Sequence, residues 1–390
     1  MSSSIRYQSR SGAEMPTRQG WLALVGSAMA FVIGRLFAVR ELYIIGAALF
    51  IALVAGVVVV ALTRSRVSVE RHIDAEVLVV GDRGRVTVRI TPDGRSPAFE
   101  LFEPVGAANQ ARLGVGALAG PGSAAYLIPT DHRGVIAVGP MRAEKTDVLG
   151  LARHRQVLAP VEHIRVAPRA LPVVMPTLGT GKLGQQLMVL ARRLGLDEFH
   201  SLRDYVPGDE MRSIHWKASA RSEGFKVKQH SHSGLRRCIV VFDPTVREHD
   251  TPAQFESAVT ATASIVVASE QAGLSTRFVC ADAVDARGPS VVVNTLEYLA
   301  IVEPVRRTEA RPRMERDPGD GLGLVIVVCT DRTAPAWAAT RSLLDPTLTV
   351  VGAFTDPAAV HGPYDVAIPT EQHFLNGWRS LVGSTRALSA

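Results

Sequence analysis

The sequence predicts a multi-domain protein with an N-terminal transmembrane helical hairpin, a β-sandwich and an α/β domain built on a doubly wound, mostly parallel sheet. Two long apolar runs near the N-terminus predict the hairpin. Short alternating strands predict the sandwich, and apolar strands that alternate with helices predict the α/β domain. The chain has 390 residues, a length at which two or three domains are expected.

Two apolar runs lie within residues 21–62, behind a polar segment, residues 1–20, that we expect to be a disordered cytoplasmic tail. The second run, residues 42–62, carries no charged residue and has the length of about 20 residues that spans a bilayer. The first run, residues 21–38, is interrupted near its end by Arg35. The short linker between the runs predicts a tight hairpin of two transmembrane helices.

A cleaved signal peptide is the competing interpretation of the first run. It fits less well, because no small-residue cleavage site separates the two runs. Basic residues flank the hairpin on both sides: Arg6, Arg10, Arg18, Arg64, Arg66 and Arg71. Because positively charged flanks favour the cytoplasmic side, we predict a multi-pass protein of the cell membrane whose N-terminus and C-terminal domains lie in the cytoplasm.

Residues 67–168 have the pattern of a β-sandwich. Segments such as 67–73, 85–90 and 134–140 alternate in polarity or are β-branched, and turn residues separate them. Several short strands at this spacing are typical of a small sandwich. The sequence places no obvious cluster of titratable residues here, so we interpret this segment as an interaction or spacer module.

Residues 235–390 alternate between apolar strands and helices. Strands that are apolar almost throughout are buried on both faces, which predicts a parallel, doubly wound sheet. Ligands of such sheets bind at the carboxyl ends of the strands. In this chain those ends carry Asp243, Asp282 and Asp331.

The three cysteines, Cys238, Cys280 and Cys329, each lie in an apolar strand of this segment. The sequence has no Cys-x-x-Cys pair, so it indicates neither a zinc site nor a disulfide framework. We interpret the cysteines as reduced thiols of the core, which favours the cytoplasm over an oxidising compartment.

Residues 169–234 begin as a linker and continue as the most polar stretch of the chain, residues 196–234. This stretch is either a solvated loop or an ordered network of ion pairs, because arginine side chains match carboxylates with two parallel hydrogen bonds. Tyr205 and Trp216 are large amphipathic side chains of the kind that anchor interfaces. The stretch therefore predicts an ordered connector, a docking surface for a protein partner, or both.

Asp243, Thr245 and Asp331 are candidate ligands of a magnesium ion, because Mg²⁺ prefers oxygen ligands and needs few of them from the protein. The pattern resembles the Asp-x-Ser-x-Ser site of von Willebrand factor A domains. Here Arg247 stands in the fifth position, where a ligand is expected. The alternative is that Asp243 caps the turn between strand and helix.

Four histidines lie in the polar stretch: His200, His215, His230 and His232. We do not expect them to bind zinc, because no carboxylate or thiol stands at a spacing that completes a site.

The sequence carries no recognisable catalytic motif. It has no Gly-x-Ser-x-Gly, no Ser-x-x-Lys and no phosphate-binding Gly-x-x-x-x-Gly-Lys loop, so we predict that the protein is not an enzyme and needs no cofactor. Acidic residues are interleaved with the basic ones and aromatic residues are few. A nucleic-acid partner is therefore not expected.

The polar stretch resembles the signature of the family of domain-of-unknown-function 58 (DUF58) proteins. The matching residues are Glu198-Phe199, Leu202-Arg203-x-Tyr205, Pro207-Gly208-Asp209, Arg212-x-Ile214-x-Trp216, Ser219-Ala220-Arg221 and Lys226-Val227-Lys228. Two upstream segments, Arg133-Gly134-x4-Gly139-Pro140 and Asp147-x-Leu149-Gly150, are also similar to the family.

The resemblance implies a von Willebrand factor A-like fold for residues 235–390. It also implies a membrane-anchored adaptor or scaffold that works with a MoxR-type AAA+ ATPase, and with a transglutaminase-like membrane protein, in complex assembly or envelope-related processes. The docking residues would be Glu198, Phe199, Arg203, Tyr205, Gly208, Asp209, Arg212, Trp216, Ser219, Arg221 and Lys228.

Two rival functions remain open from the sequence. One is a divalent-metal-dependent ligand-binding or hydrolytic site at the strand ends, built from the three candidate magnesium ligands. The other is a binder of lipid surfaces or nucleic acid that uses the basic residues, which the interleaved acidic residues disfavour.

Overall fold

A computed structural model of the chain describes residues 14–62, 67–73, 78–194, 197–206, 211, 214–221, 224–232, 234–280, 283–306, 314–315, 320–340 and 345–383. The chain divides into two compact units, Met1–Ala167 and Pro168–Ala390.

Helices occur in both units. They are α1 (Arg18–Phe37), α2 (Arg40–Leu62), α3 (Gly181–Arg193), α4 (Trp216–Ser219), α5 (Pro252–Gln271), α6 (Val291–Ile301), α7 (Pro335–Ala339) and α8 (Glu371–Val382).

The strands of the first unit are β1 (Glu14–Pro16), β2 (Val67–Ile73), β3 (Leu78–Val79), β4 (Gly84–Pro92), β5 (Phe99–Val105), β6 (Asn109–Val115), β7 (Gly122–Ile128), β8 (Gly134–Val138), β9 (Met141–Thr146), β10 (Ala152–Ala159) and β11 (Glu162–Ala167). Those of the second unit are β12 (Asp197–Asp204), β13 (Lys226–His232), β14 (Arg237–Phe242), β15 (Thr245–Val246), β16 (Ser275–Cys280), β17 (Val284–Arg287), β18 (Val305–Arg306), β19 (Gly323–Cys329), β20 (Leu348–Phe354) and β21 (Val366–Ala367).

Helices α1 and α2 form an apolar pair near the N-terminus. They contain 20 and 23 residues, and both are long and apolar enough to cross a membrane, as the sequence predicts. The N-cap of α1 is Thr17, whose Oγ1 accepts a hydrogen bond from Gly20 N at 3.1 Å. Between the helices, the buried Ser27 hydroxyl donates to the Gly46 carbonyl oxygen at 2.7 Å. Such polar contacts across close-packed helices stabilise helix pairs in lipid.

Residues 14–20 differ from the disordered tail predicted over residues 1–20, whereas residues 1–13 of that tail lie outside the described residues. Strand β1 pairs antiparallel with β10, from Glu14 opposite His154 to Pro16 opposite Ala152, and α1 begins at Arg18. The edge of β10 offers backbone groups that this short segment satisfies. Composition does not reveal such a pairing, because the partner strand lies far along the chain.

Two sheets make up the strand-rich part of the first unit. The larger sheet has eight strands in the order β1-β10-β9-β5-β8-β11-β3, with β6 paired to β5, and the smaller has the order β2-β4-β7. Alternate residues of β4, Val86, Val88 and Ile90, are buried in a core that also contains Leu101 and Val138 of the larger sheet. The period-two alternation seen in the sequence therefore marks one buried face of each strand.

A six-stranded sheet forms the centre of the second unit, in the order β17-β16-β14-β19-β20-β21. All neighbouring pairs are parallel except β16 with β17. In β14, Val240 and Phe242 belong to one hydrophobic core, and Ile239 and Val241 belong to another. Both faces of the strand are covered, which explains its continuous apolar run.

The order of this sheet places its first strand, β14, in the middle. The next parallel strand, β16, lies on one side of β14, and β19 lies on the other. The direction of winding therefore reverses between β14 and β19, and the crevice at such a switch point is where open α/β sheets bind ligands.

The three cysteines are buried in this unit, as expected. Burial raises the pKa of the Cys238 and Cys280 thiols to about 12 in each case. Both side chains are therefore protonated at neutral pH and serve as small apolar groups.

Candidate functional site

The polar stretch is organised by a two-stranded antiparallel sheet. Strand β12 pairs with β13 from Asp197 opposite His232 to Asp204 opposite Lys226, with a register shift between Phe199 and Ser201. Four predicted docking residues lie on these strands: Glu198, Phe199, Arg203 and Lys228. Their backbones are placed by the pairing, and their side chains lie outside the described part of the chain. Part of the stretch is therefore a pair of strands. This pairing fixes where the segment that connects β12 to β13 begins and ends.

The short helix α4 is fastened to the start of β13 by Ser219. The Ser219 hydroxyl accepts a hydrogen bond from Lys226 N at 2.8 Å and donates to the His215 carbonyl oxygen at 3.1 Å. His215 N also donates to the Lys226 carbonyl oxygen at 2.7 Å. Ser219 thereby acts as a positioning residue for this segment, since its hydroxyl links two backbone groups, one in β13 and one at the start of α4.

His215 is the N-cap of α4. Its Nδ1 accepts a hydrogen bond from Ala218 N at 3.0 Å, which requires that nitrogen to carry no proton. Satisfying one of the free N–H groups at a helix start is a structural role.

An aromatic patch, defined here as the half-buried Tyr205 and the exposed Trp216 and Phe225, lies on the same segment. The Phe225 ring contacts both of the others, with its centroid 6.3 Å from that of Tyr205 and 6.0 Å from that of Trp216, and both contacts are edge-to-face. Trp216 is 59% exposed and Phe225 is 55% exposed. Val206 and Met211 add further exposed apolar side chains to this segment. An exposed group of large apolar side chains marks an interaction site more often than an isolated one does.

The charged residues of the segment are described in part. Lys226 Nζ lies 2.6 Å from Asp204 Oδ1. This ion pair joins β12 and β13 at the end next to the segment that connects them. Arg221 is exposed. The other members of the predicted ion-pair network, namely the Arg203 side chain and Asp209, Glu210 and Arg212, lie outside the described residues, as does the predicted docking residue Gly208. The network therefore stays a prediction.

A second group of polar side chains, the strand-end cluster, lies at the switch point of the six-stranded sheet. We define it as Arg247, Asp250, Asp331 and Asp356. Arg247 Nη1 lies 2.9 Å from Asp356 Oδ2 and 3.3 Å from Asp331 Oδ2, and its Nη2 lies 3.2 Å from Asp250 Oδ1. Asp331 follows β19 and Asp356 follows β20, so the sheet itself brings these carboxylates together around one guanidinium.

The charges of this cluster support one another. Burial alone would lower the pKa of Arg247, but hydrogen bonds to Asp356 and Asp250 outweigh it and raise that pKa. The pKa of Asp356 is lowered, first by the hydrogen bond from Ala358 N and further by Arg247, with burial opposing. Arg247 and Asp356 are therefore both charged at neutral pH.

Two of the three predicted magnesium ligands, Asp243 and Asp331, have side chains that are engaged in other contacts, and Asp331 itself belongs to this cluster. Asp243 accepts hydrogen bonds at both carboxylate oxygens, from Thr245 N at 3.0 Å and from Ala336 N at 2.9 Å. Asp331 accepts from Thr333 N at Oδ1 and contacts Arg247 at Oδ2. In this arrangement Asp243 caps the end of β14 and ties it to α7, which was the alternative weighed from the sequence.

This donor set does not fit a magnesium ion. Among the residues that the structure describes, no three His, Cys, Asp or Glu side chains are placed to hold a metal. A cationic side chain already lies between the carboxylates, and a divalent ion beside it would be repelled. We derive no metal-dependent chemical step from these residues.

Sequence reasoning missed three members of the two groups: Phe225, Asp250 and Asp356. Phe225 directly precedes β13, and a single aromatic residue in a polar stretch is the signal that could have identified it. Asp356 follows an apolar strand and fits the rule for strand ends that selected Asp331. Asp250 lies in a loop, where nothing in the sequence distinguishes it from a solvated carboxylate.

Comparisons with solved structures give only weak similarity. One similar structure is the CARDB domain of a Pyrococcus furiosus protein in complex with di-metal ions, at 9% identity and a TM-score of 0.19, covering 26% of this chain and 88% of that chain. Another is the sporulation control protein Spo0M of Bacillus subtilis, at 9% identity and a TM-score of 0.14, covering 35% of this chain and 59% of that chain. TM-scores of this size carry no argument about the fold.

The family comparison is more informative than the structural one. No curated protein sequence matches the chain. Residues 201–309 match the family model described as "Protein of unknown function DUF58". The matched range contains the aromatic patch together with Arg247 and Asp250 of the strand-end cluster. The match supports the assignment of this part of the chain to the DUF58 family.

Proposed function

We propose that the protein is a membrane-anchored, non-enzymatic adaptor or scaffold that binds a protein partner through the aromatic patch. The observation that carries the proposal is the exposure of Trp216 and Phe225 on a segment whose backbone is fastened by Ser219. A rigid exposed aromatic pair loses little conformational entropy when a partner covers it. Tryptophan and tyrosine are also the residues most enriched among those that dominate binding energy.

The partner we propose is a MoxR-type AAA+ ATPase, and a transglutaminase-like membrane protein is a second candidate. This choice rests on the resemblance of the signature segment to DUF58 proteins, which the family match over residues 201–309 supports. The process would be complex assembly or an envelope-related function. We propose no nucleic-acid partner.

A scaffold role agrees with the state of the strand-end cluster. Its carboxylates are engaged with Arg247, and Asp243 is engaged with backbone N–H groups. Groups held in this way stabilise a loop arrangement, and the carboxylates of this cluster are thereby engaged in contacts that a general base would have to give up. The rival metal-dependent function therefore has less support than the adaptor function.

The finer fold assignments belong to the same proposal. We assign the two sheets of the first unit to a β-sandwich, because both contribute to one core. We assign the parallel sheet of the second unit to the von Willebrand factor A-like class, because its winding reverses beside its first strand. We place the N-terminus and the C-terminal units in the cytoplasm, on the basis of the basic flanks. A reporter fusion after Leu62 tests this topology, and activity of a periplasm-specific reporter there would contradict it.

Capture of a purified MoxR-type ATPase by the full chain in nanodiscs tests the docking role. We expect Trp216→Ala combined with Phe225→Ala to weaken capture at least tenfold, because truncating a central aromatic anchor costs about 2 kcal/mol or more. Both residues are exposed, so unfolding should occur at an unchanged temperature.

Ile301→Ala is the matched control, because Ile301 is an exposed apolar residue at the end of α6 in the same unit. We expect it to leave capture unchanged. Full capture by the folded double variant would overturn the docking role of the patch, and equal loss in the control would show that the effect is not specific to it.

A further inference from the structure

The turn between β9 and β10, residues Asp147–Leu151, is bound to the start of α1. Thr17 N donates to the Leu151 carbonyl oxygen at 2.9 Å, and the Thr17 hydroxyl donates to the Gly150 carbonyl oxygen. Gly20 approaches the turn so closely that a Cβ there would collide with the Leu151 carbonyl oxygen. The backbone of the turn is thereby fixed at the level of the first residues of α1.

The same turn also lies against α2. A Cβ at Gly56 would lie 3.1 Å from Asp147 Oδ2, so the carboxylate end of Asp147 is next to that helix. Within the turn, Asp147 accepts hydrogen bonds from Ala152 N at 2.6 Å and from Leu149 N at 3.0 Å. The internal hydrogen bonds give the turn a defined shape between the two apolar helices.

The tip of this turn is unusually apolar for an exposed position. Val148 is fully exposed and Leu149 is 61% exposed. Turn tips in water are normally occupied by Gly, Pro, Asn, Asp or Ser, because these residues favour turn conformations and polar surroundings. Two adjacent aliphatic side chains that project from a rigid turn need an apolar environment that the described part of the first unit does not supply.

The surroundings of the turn indicate what that environment is. Trp21, which follows Gly20 directly, is exposed, and tryptophan is enriched where helices pass the boundary between lipid and water. Arg18 is exposed one turn earlier, where it can reach lipid headgroups. On α2 the exposed apolar surface continues past Gly56 with Val58 and Leu62. The turn therefore lies beside a band of exposed apolar surface that is formed by the start of α1 and the last turns of α2.

We propose that the β9–β10 turn is a membrane-inserting element, and that Val148 and Leu149 lie in the interfacial layer of the bilayer beside the hairpin. The occupant of this surface is lipid, because the surface is continuous with two helices that are long and apolar enough to cross a membrane. The inference rests on the proposed membrane anchoring and goes beyond it. It means that the strand-rich part of the first unit contacts lipid directly. This part is then held against the bilayer and is not connected to it by a linker alone.

Site-specific fluorescence of the full chain in lipid nanodiscs tests this proposal. An environment-sensitive NBD probe is attached to a cysteine introduced by Val148→Cys, and quenching is measured with lipids that carry nitroxide at a shallow or a deep acyl position. The native cysteines are buried, and a mock-labelled parent chain corrects for them. We expect a blue-shifted emission and stronger quenching by the shallow nitroxide than by the deep one.

Two further probe sites make the outcomes distinguishable. Ile51→Cys lies near the middle of α2 and is expected to be quenched more by the deep nitroxide. Ala107→Cys lies in the exposed turn after β5, and β5 runs antiparallel to β9, so this turn lies at the opposite end of the sheet and should not be quenched.

A Val148 probe that behaves like the Ala107 probe, while the Ile51 probe is quenched, would overturn membrane insertion of the turn and leave the anchoring intact. An unquenched Ile51 probe would overturn the membrane anchoring itself, and the turn proposal with it.

Discussion

Two arginines, one in each unit, are surrounded by hydrogen-bond acceptors, and they differ mainly in burial. In the first unit Arg71 of β2 is 2% exposed and lies 2.5 Å from Glu103 of β5, which is 1% exposed. In the second unit Arg247 is 35% exposed and is shared by three aspartates. The first guanidinium has been removed from water almost completely, whereas the second can still exchange its partners for solvent.

Their different locations give the two arginines different roles. Arg71 lies on the smaller sheet and also donates to the Val138 carbonyl oxygen of the larger sheet at 3.1 Å and to the Pro160 carbonyl oxygen, between β10 and β11, at 2.8 Å. Glu103 in turn accepts from the Tyr126 hydroxyl at 2.6 Å. This pair joins two sheets through their common core. Arg247 instead holds three loop carboxylates at the rim of a sheet, where a change of partner leaves the core unaffected.

The comparison predicts a large difference in stability between Arg71→Met and Arg247→Met. We expect Arg71→Met to lower the free energy of unfolding of the first unit by about 3–5 kcal/mol, because it leaves Glu103 buried without its partner. We expect Arg247→Met to cost about 1 kcal/mol or less in the second unit, as for partly exposed ion pairs. Denaturant unfolding of the full chain, followed by hydrogen exchange in each unit, measures both.

Arg112→Met is the matched control for the first unit, because Arg112 pairs with Glu100 at 2.8 Å on the exposed side of the larger sheet, to which Glu103 belongs. Its expected cost is also about 1 kcal/mol or less. Equal losses for Arg71→Met and Arg247→Met would show that burial does not distinguish the two sites.

A metal-binding experiment tests whether the Arg247 guanidinium occupies the position that a bound metal ion would otherwise take. We expect the wild-type chain to show no Mg²⁺-dependent rise in the unfolding temperature of the second unit. In Arg247→Ser, the three aspartates repel one another without a counter-charge, and millimolar Mg²⁺ should raise the unfolding temperature by a few degrees, since a ligand that binds the folded state stabilises it.

Arg247→Lys retains a positive charge and should remain insensitive to Mg²⁺. Binding of Mg²⁺ to the wild-type chain, by calorimetry and by thermal shift, would contradict the interpretation of Arg247 as a resident cation. It would also restore the metal-dependent hypothesis for Asp243, Thr245 and Asp331.

The smallest expected effect is an opposite dependence of the two units on pH. Burial raises the pKa of Glu103 above its ordinary value, although Arg71 and the Tyr126 hydroxyl oppose the shift. The folded first unit thus holds this proton more tightly than the unfolded chain, so its stability falls as pH rises from about 4.3 through the raised pKa. The pKa of Asp356 is lowered, so the second unit loses stability as pH falls below about 3.9.

Hydrogen exchange measured from pH 3 upward, corrected for the intrinsic exchange rate, separates the two units. Glu103→Gln should remove the slope in the first unit, and Asp356→Asn should reduce the slope in the second. Slopes of the same sign in both units would contradict the assignment of these two carboxylates as their source.

The sequence predicts those features that depend on a repeating local pattern. The alternation in β4 and the continuous apolar runs of β14 and β19 follow from how many faces of each strand are buried. The two apolar helices follow from length and composition alone. These patterns can be recognised in the sequence because they repeat between residues that are one to four positions apart.

The features that sequence reasoning missed depend on pairings between distant residues. Arg247 contacts Asp331 and Asp356 across 84 and 109 positions of the chain, and β1 pairs with β10 across the whole strand-rich unit. Asp243 was considered a metal ligand because its position after a strand suits one, but the N–H groups of Thr245 and Ala336 decide its role. The exposure of the Trp216 and Phe225 side chains likewise depends on tertiary packing, which the periodicity of the sequence does not show.

The short strand β1 has a mechanical consequence for the first unit. The chain enters the helix pair from β1, which is paired with β10, and it leaves the pair from α2 toward β2. The strand-rich part of the first unit is therefore attached to the helix pair at two separate places. A body held by one flexible tether swivels freely, whereas a body held at two places resists torsion about the axis of the helices. The β1–β10 pairing thus limits rotation of the strand-rich part of the first unit about the axis of the helix pair.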